Sequence, residues 1–364
     1  MGENLIQNES TSQFYFACRN NDMETVRRLL DEYPLEDLDK MEPNGSTALH
    51  AACFYKNIDI VKLLLDRGFT RRVINKYNYT PFDECESEEI RQLFTRPKTS
   101  NRFGGDVSYE REKLTWIVID GNEQNVIHDR TLDTYNGNRL EYKVFHGDKI
   151  LQQLGNNMPK IDVIRRLFRR AINEKDCTRL IQAYTTDTDF CNQVNNYLIT
   201  QNEETTNDTS TQTNVMSEFI DTIFFNRQLH EQYQFQGICY RSMKIKSDND
   251  LNIYRVGTKL INRTFISATK DRQFAEKYVS DRHAEKKYAV IISFEIRQFN
   301  TALDIEYLSE FPSEKEILIM NKRIFKVVRI KMKNSFDVEI ELRESKSTRV
   351  NQKDISSGYL GRSH

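Results

Sequence analysis

Apolar positions divide the chain into stretches of different period. Between residues 12 and 97 they recur with helical spacing, at Met23, Val26, Leu29 and Leu30 and again at Ile58, Val61, Leu64 and Leu65. Each set lines one face of a helix. Gly68 follows the second set as a stop. Both sets belong to an internal repeat: Ala17-Cys18, Asn21-Asp22, Val26 and Leu29-Leu30 return as Ala52-Cys53, Asn57-Ile58-Asp59, Val61 and Leu64-Leu65, a shift of 35. Thr47-Ala48-Leu49-His50 returns as Thr80-Pro81-Phe82-Asp83, a shift of 33, and both shifts match one supersecondary unit. Helical spacing resumes at Ile161, with Ile164, Leu167, Phe168, Ala171 and Ile172 on one face and Arg165, Arg166, Arg169 and Arg170 on the other. Such an arginine face reads as solvated.

Further helices are expected at 178–184, 189–198 and 217–232. After them the pattern changes to short runs suited to strands, at 237–245, 264–269, 288–296, 316–319, 325–331 and 337–342. An isolated run at 114–120 also reads as a buried strand. Helices first and strands afterwards predict α+β architecture behind a short α-solenoid. The expected boundaries are a flexible N-terminus at 1–11, repeats at 12–97 (two full and a partial third), and a linker at 98–112 marked by Gly104-Gly105. A connecting segment with one strand covers 113–160, and the α+β domain 161–343, with a polar, flexible excursion at 201–215. A disordered tail fills 344–364.

Composition narrows the function classes. With 364 residues, 53 basic against 54 acidic side chains, a pI near 6.6 and a mean hydropathy of −0.69, the chain is expected to be soluble, with no bulk attraction to nucleic acid or membrane. No basic start with an apolar core opens the sequence, and no segment reaches membrane-spanning length, so a cytoplasmic location is expected. Gly2 does not signal myristoylation, because Ile6 stands where Ser or Thr is needed. The six cysteines are scattered with no Cys-x-x-Cys, so reduced thiols and no metal are expected.

The stretch with chemical promise is Phe311-Pro-Ser-Glu-Lys-Glu-Ile-Leu-Ile319. On a strand, Glu314 and Glu316 project to one face and can meet one substrate. Paired carboxylates suit substitution at a sugar carbon, one stabilising a cationic centre and the other positioning the attacking group. On a charged surface the same pair is ordinarily just solvated. Two features upstream change the balance. Arg241 shares a strand face with Cys239 and Met243, so a guanidinium sits among inward groups and needs an anion. Phe265, Ser267 and Thr269 share a face of the next run.

Two family resemblances follow from these residues. Residues 47–52 resemble the Thr-Pro-Leu-His-x-Ala signature of ankyrin repeats, with Ala48 in place of Pro; such repeats are usually binding modules, and His50 then satisfies backbone groups. The ordered set Arg241, Phe265-Ile-Ser267, Glu314-Lys-Glu316, together with Val256-Gly257-Thr258, Ala275-x-x-Tyr278 and Ala183-Tyr184-Thr185, resembles the R-S-E class of mono-ADP-ribosyltransferases over about residues 160–343. That resemblance implies a helical part followed by a mixed β-sandwich core, with NAD as co-substrate and protein arginine as acceptor.

It also implies roles. Arg241 holds the NAD diphosphate or its ribose, Ser267 with Thr269 orders the strand, and Tyr278 stacks on nicotinamide. Glu316 bonds the ribose 2′-hydroxyl and stabilises the cation left as nicotinamide departs, while Glu314 orients the acceptor. An arginine guanidinium, with a pKa above roughly 12, is a poor nucleophile until a carboxylate draws off its charge. Ser242 stands where the family commonly has glycine beside the nicotinamide, and Ala268 replaces a Thr. Two alternatives stay open at this stage: an NAD glycohydrolase, and a non-catalytic ankyrin adaptor with an inert transferase fold.

Overall fold

The computed structural model describes residues 10–97, 116–119, 160–200, 215–245, 251–277, 279, 288–333 and 337–345. The expected linker at 98–112 lies outside them, as do nearly all of the N-terminus, the excursion and the tail.

The N-terminal unit contains α1 (Gln13–Arg19), α2 (Met23–Glu32), α3 (Leu35–Leu38), α4 (Ala48–Phe54), α5 (Ile58–Asp66) and α6 (Glu88–Leu93). The helical stripes read in the sequence bury Val26, Leu29, Leu30, Val61, Leu64 and Leu65 in one core with Phe14, Leu49 and Phe69. Side-chain caps set the helix starts: Ser12, Asp22, Thr47 and Ser87 accept from backbone N–H groups of their first turns. His50 is structural. Its Nδ1 accepts from the Thr47 backbone, so Nε2 carries the proton and donates to the Tyr79 carbonyl at 3.0 Å. Gly68 ends α5 at φ +80°, where Phe69 N–H reaches back to the Leu64 carbonyl. A Cβ on Gly68 would lie 2.4 Å from Val163 Cγ2, so the absent side chain also permits close approach of the next domain.

The second unit opens with α7 (Ile161–Asn173), α8 (Thr178–Thr185), α9 (Phe190–Thr200), α10 (Val215–Phe225) and α11 (Arg227–Tyr233). Asn226, which caps α11 by accepting from Leu229 N–H, breaks the single helix expected at 217–232 into two. The arginine face of α7 is solvated only in part, with Arg169 exposed and Arg166 buried. Arg166 is buried against Asp39 at 3.0 Å, Arg169 meets Glu36 at 2.9 Å and Arg170 meets Thr70 at 3.1 Å, so this face docks the helix on the repeats.

Nine strands form one sheet among the described residues: β1 (Trp116–Ile119), β2 (Gly237–Ile245), β3 (Lys259–Asn262), β4 (Ile266–Thr269), β5 (Tyr288–Ile296), β6 (Ala302–Asp304), β7 (Glu316–Ile319), β8 (Ile324–Met332) and β9 (Asp337–Glu344). Their order is β1-β3-β8-β9-β5-β2-β4-β7-β6, antiparallel except for β5 with β9. The sheet folds over on itself. In a flat sheet β1 and β5, four places apart, would stand roughly 19 Å from each other, yet Trp116 stacks on Phe294 with ring centroids 6.4 Å apart. A sandwich-like core with Cys239, Ile266, Ala268, Ile317 and Ile319 fills the fold. The opposite face of β4 and β7 packs Phe265 and Leu318 into the helical layer with Phe168, Tyr184 and Phe219. The α+β class and the order of helical and sheet parts therefore match the expectation. β3 and β6, at four and three residues, were not among the runs read as strands. Among the described residues no helix is long and apolar enough to cross a membrane.

Candidate active site

Three neighbouring strands, β2, β4 and β7, carry the residues singled out in the sequence. β4 is enclosed on both sides, because its alternation gives Ile266 and Ala268 to the sandwich core and leaves Ser267 and Thr269 on the helical side. The register then fixes the neighbours: Thr269 pairs with Glu316 and Ser267 with Leu318, so Ser267, Thr269 and Glu316 share one face. Tyr240 on β2 pairs with Thr269, and the next residue, Arg241, sends Nη1 to the Ser267 carbonyl at 2.7 Å. Arg241 is half-buried, while Ser267, Thr269, Glu314 and Glu316 are buried. Thus Ser267, Thr269 and Glu316 share one face, while Arg241, which alternates with Tyr240 on β2, reaches β4 from the side of Cys239 and Met243 through the Ser267 backbone carbonyl.

The two glutamates are not arranged as strand alternation predicts. Glu316 begins β7, but Glu314 lies in a 3₁₀ turn, Pro312–Glu314, and Lys315 between them adopts a left-handed conformation at φ 47°. The Thr269 hydroxyl holds this turn in place, donating to the Glu314 carbonyl at 2.7 Å and accepting from Asp271 N–H at 3.0 Å. The Glu314 carboxylate turns to the repeats, where Arg96 donates from Nε at 2.7 Å and from Nη2 at 3.0 Å, one bond to each oxygen. Both side chains of this pair are 2% exposed. Arg96 also donates to the carbonyls of Thr185 (2.9 Å) and Thr186 (3.4 Å), and its guanidinium lies 4.1 Å from the Phe311 ring centre. Charge-assisted, bidentate and stacked, the contact combines the features that make an arginine–carboxylate pair strong.

Ser242 is buried and paired with Ile291, and strand alternation puts it on the face of β2 that carries Tyr240, opposite Arg241. Tyr278 lies outside the described residues, just after α12 (Arg272–Lys277). Cys239 is no nucleophile: it is buried in the sandwich core, and burial pushes its thiol above the ordinary value.

Sequence reading missed Arg96, Phe311 and the Thr185 and Thr186 carbonyls. Arg96 and Glu314 are 218 residues apart, so no local pattern could join them. Two further arginines converge on the same turn. Arg71 lies 3.8 Å from Glu310 and 4.8 Å from the Phe311 ring, and Arg72 donates to the carbonyls of Glu306 and Ser309 at 3.1 and 3.3 Å. Burial raises the Glu310 carboxyl, opposed mainly by Arg71, and burial likewise lowers Arg71.

Residues 4–92 match the family model for ankyrin repeats, in three copies. Alpha-latrotoxin-Lg1a of Latrodectus geometricus is 26% identical over 136 residues, 36% of this chain and 9% of that protein. The probable 26S proteasome regulatory subunit p28 of Saccharomyces cerevisiae is 31% identical over 74 residues, 20% of this chain and 32% of that one. The chain thus spans less than a tenth of the first relative's length and about a third of the second's. Similar solved structures include the ADP-ribosyltransferases Vis and HopU1 and a C3 exoenzyme. Vis of Vibrio splendidus has 20% identity and a TM-score of 0.36, covering 49% of this chain and 76% of that one. HopU1 of Pseudomonas syringae pv. Tomato DC3000 has 18% identity and a TM-score of 0.37, covering 50% and 82%. The Clostridium limosum C3 exoenzyme has 13% and 0.34, covering 51% and 94%.

Proposed function

We propose that the chain is an NAD-dependent mono-ADP-ribosyltransferase acting on protein arginine, with the ankyrin repeats as a protein-binding module. The observation that carries this reading is the patch on β2, β4 and β7, where Arg241 is bonded to the strand that bears Ser267 and Thr269, and Thr269 is paired with Glu316. The residues fit the substrate's chemistry. A half-buried guanidinium suits a diphosphate by charge and by its planar fork. A carboxylate buried in the sheet suits the positive charge that grows at the ribose C1′ as nicotinamide leaves.

On this reading Arg241 binds the diphosphate side, Ser267 and Thr269 hold β4 and the turn after it, and Ser242 and Tyr278 border the nicotinamide end. Glu316 stabilises C1′ and Glu314 receives the acceptor. The bond from C1′ to the nicotinamide nitrogen breaks, a bond from C1′ to a guanidine nitrogen forms, and that nitrogen releases its proton to Glu314 or water. The arginine preference is supported by the contact already present, since Glu314 holds a guanidinium side-on through both oxygens.

The same contact favours NAD hydrolysis as a second reading, because Glu314 engaged by Arg96 leaves water as the acceptor. Incubation of the full chain with labelled NAD and a small guanidine tests both. Nicotinamide release well above that of Glu316→Ala is expected, and labelled guanidine separates transfer from hydrolysis. Equal release from the two proteins, with no NAD binding, would instead make this a non-catalytic adaptor.

A further inference from the structure

We propose that Arg96 is an internal occupant of the acceptor site, by which the ankyrin repeats keep the transferase masked against external arginine; this rests on the reading of Glu314 as the acceptor carboxylate. Arg96 follows α6, the last described helix of the repeats, and directly precedes Pro97. Its guanidinium is met as a substrate guanidinium would be, by a carboxylate fork, two backbone carbonyls and an aromatic face. Nε and Nη2 donate to Glu314 at 2.7 and 3.0 Å, Nη2 and Nη1 donate to Thr185 and Thr186 carbonyls at 2.9 and 3.4 Å, and Phe311 lies 4.1 Å beneath. Every nitrogen of the group has an acceptor. With both side chains 2% exposed, no second guanidinium can reach Glu314 while Arg96 stays.

Two observations separate masking from simple docking. The repeats are anchored independently of Arg96 through α7, where Arg166 and Asp39 form a second buried pair at 3.0 Å. And three arginines at this end of the repeats point at one segment of the transferase unit, 306–314, which leads straight into Glu316: Arg72 to Glu306 and Ser309, Arg71 to Glu310 and Phe311, Arg96 to Phe311 and Glu314. An interface built only for adhesion has no reason to deliver a two-oxygen guanidinium contact to the carboxylate two residues before the strand of Glu316. A tethered arginine also competes at an effective concentration in the millimolar range, so an untethered acceptor is at a disadvantage of that order. The natural release is a protein that binds the repeats and draws them, with Arg96, away from the turn.

The test uses the full chain with Arg96→Gln and Arg96→Lys, measuring nicotinamide release without acceptor and label transfer across a titration of a small guanidine. Arg96→Gln is expected to lower the half-saturating guanidine concentration 10-fold or more while acceptor-free release changes less than 3-fold. Arg96→Lys, whose ammonium cannot span both oxygens, is expected to fall between. Retained nicotinamide release certifies folding of each variant. If Arg96→Gln does not fold, Arg96→Lys decides alone: a 3-fold or greater drop supports masking, and an unchanged value overturns it. Identical guanidine titrations in all three proteins, with nicotinamide still released, make the pair a structural contact and end the proposal. Absence of nicotinamide release from every form removes the transferase reading itself, and the masking with it.

Discussion

Glu314 and Glu316 stand two residues apart and are held by different parts of the chain. Glu316 belongs to the sheet: its strand lies between β4 and β6, and its neighbours Thr269, Ser267 and Leu318 come from the same domain. Glu314 belongs to a turn whose backbone is fixed by Thr269 but whose carboxylate is fixed by an arginine 218 residues away in the repeats. The difference divides the proposed chemistry. Steps that need Glu316 are insulated from how the two domains sit, whereas steps that need Glu314 depend on it.

The largest effect should come from breaking that contrast at the strand. Glu316→Gln is expected to lower nicotinamide release about 10³-fold, the scale of losing a preorganised electrostatic group. Glu314→Gln should leave release within about 10-fold of the parent while abolishing transfer to guanidine; one discontinuous assay of both products reads the two variants together. Next in size is the second buried pair. Asp39→Asn leaves Arg166 charged and enclosed, which should cost about 3–5 kcal/mol in denaturant unfolding of the full chain. Because Asp39 touches neither glutamate, its loss should loosen Glu314 but spare Glu316.

A pH experiment probes the helical layer. His230, buried in α11 with Nε2 at 3.1 Å from the Phe224 carbonyl, is lowered to about 4 by burial and then by Arg323. A depressed folded value means that the neutral ring's contribution is fully present above the ordinary 6.5 and is lost as pH falls through about 4. Stability should therefore drop by about 3 kcal/mol across that window, at 1.36 kcal/mol per unit, and His230→Gln should flatten the drop. The smallest effect is Arg72→Ala, which removes donors to two carbonyls of the 306–309 segment and should cost about 1 kcal/mol by the same unfolding assay.

Much of the fold was legible because periodicity reports burial, and burial is what these elements share. The stripes at Val26, Leu29 and Leu30 and at Val61, Leu64 and Leu65, the long strands β2, β5, β8 and β9, and the helical layer could all be read. Periodicity does not say what lies across a face, so the arginines of α7 looked solvated although Arg166 is enclosed by Asp39. It also fails where the backbone leaves regular structure. Two carboxylates at a spacing of two share a side only on a strand; Lys315, at φ 47°, turns the chain between them. Arg241 and Ser267 were placed on strands by pattern, but that they touch follows from sheet order, which sequence alternation does not encode.

Gly68 shows how a local device acquires a distant duty. As the left-handed residue beyond α5 it closes a helix of the repeats, and with a Cβ's position only 2.4 Å from Val163 it sets how near α7 can come. The gauge of the joint between the two units is thus one hydrogen atom wide. A methyl there would act as a wedge, prising apart surfaces whose alignment every arginine of the seam relies upon.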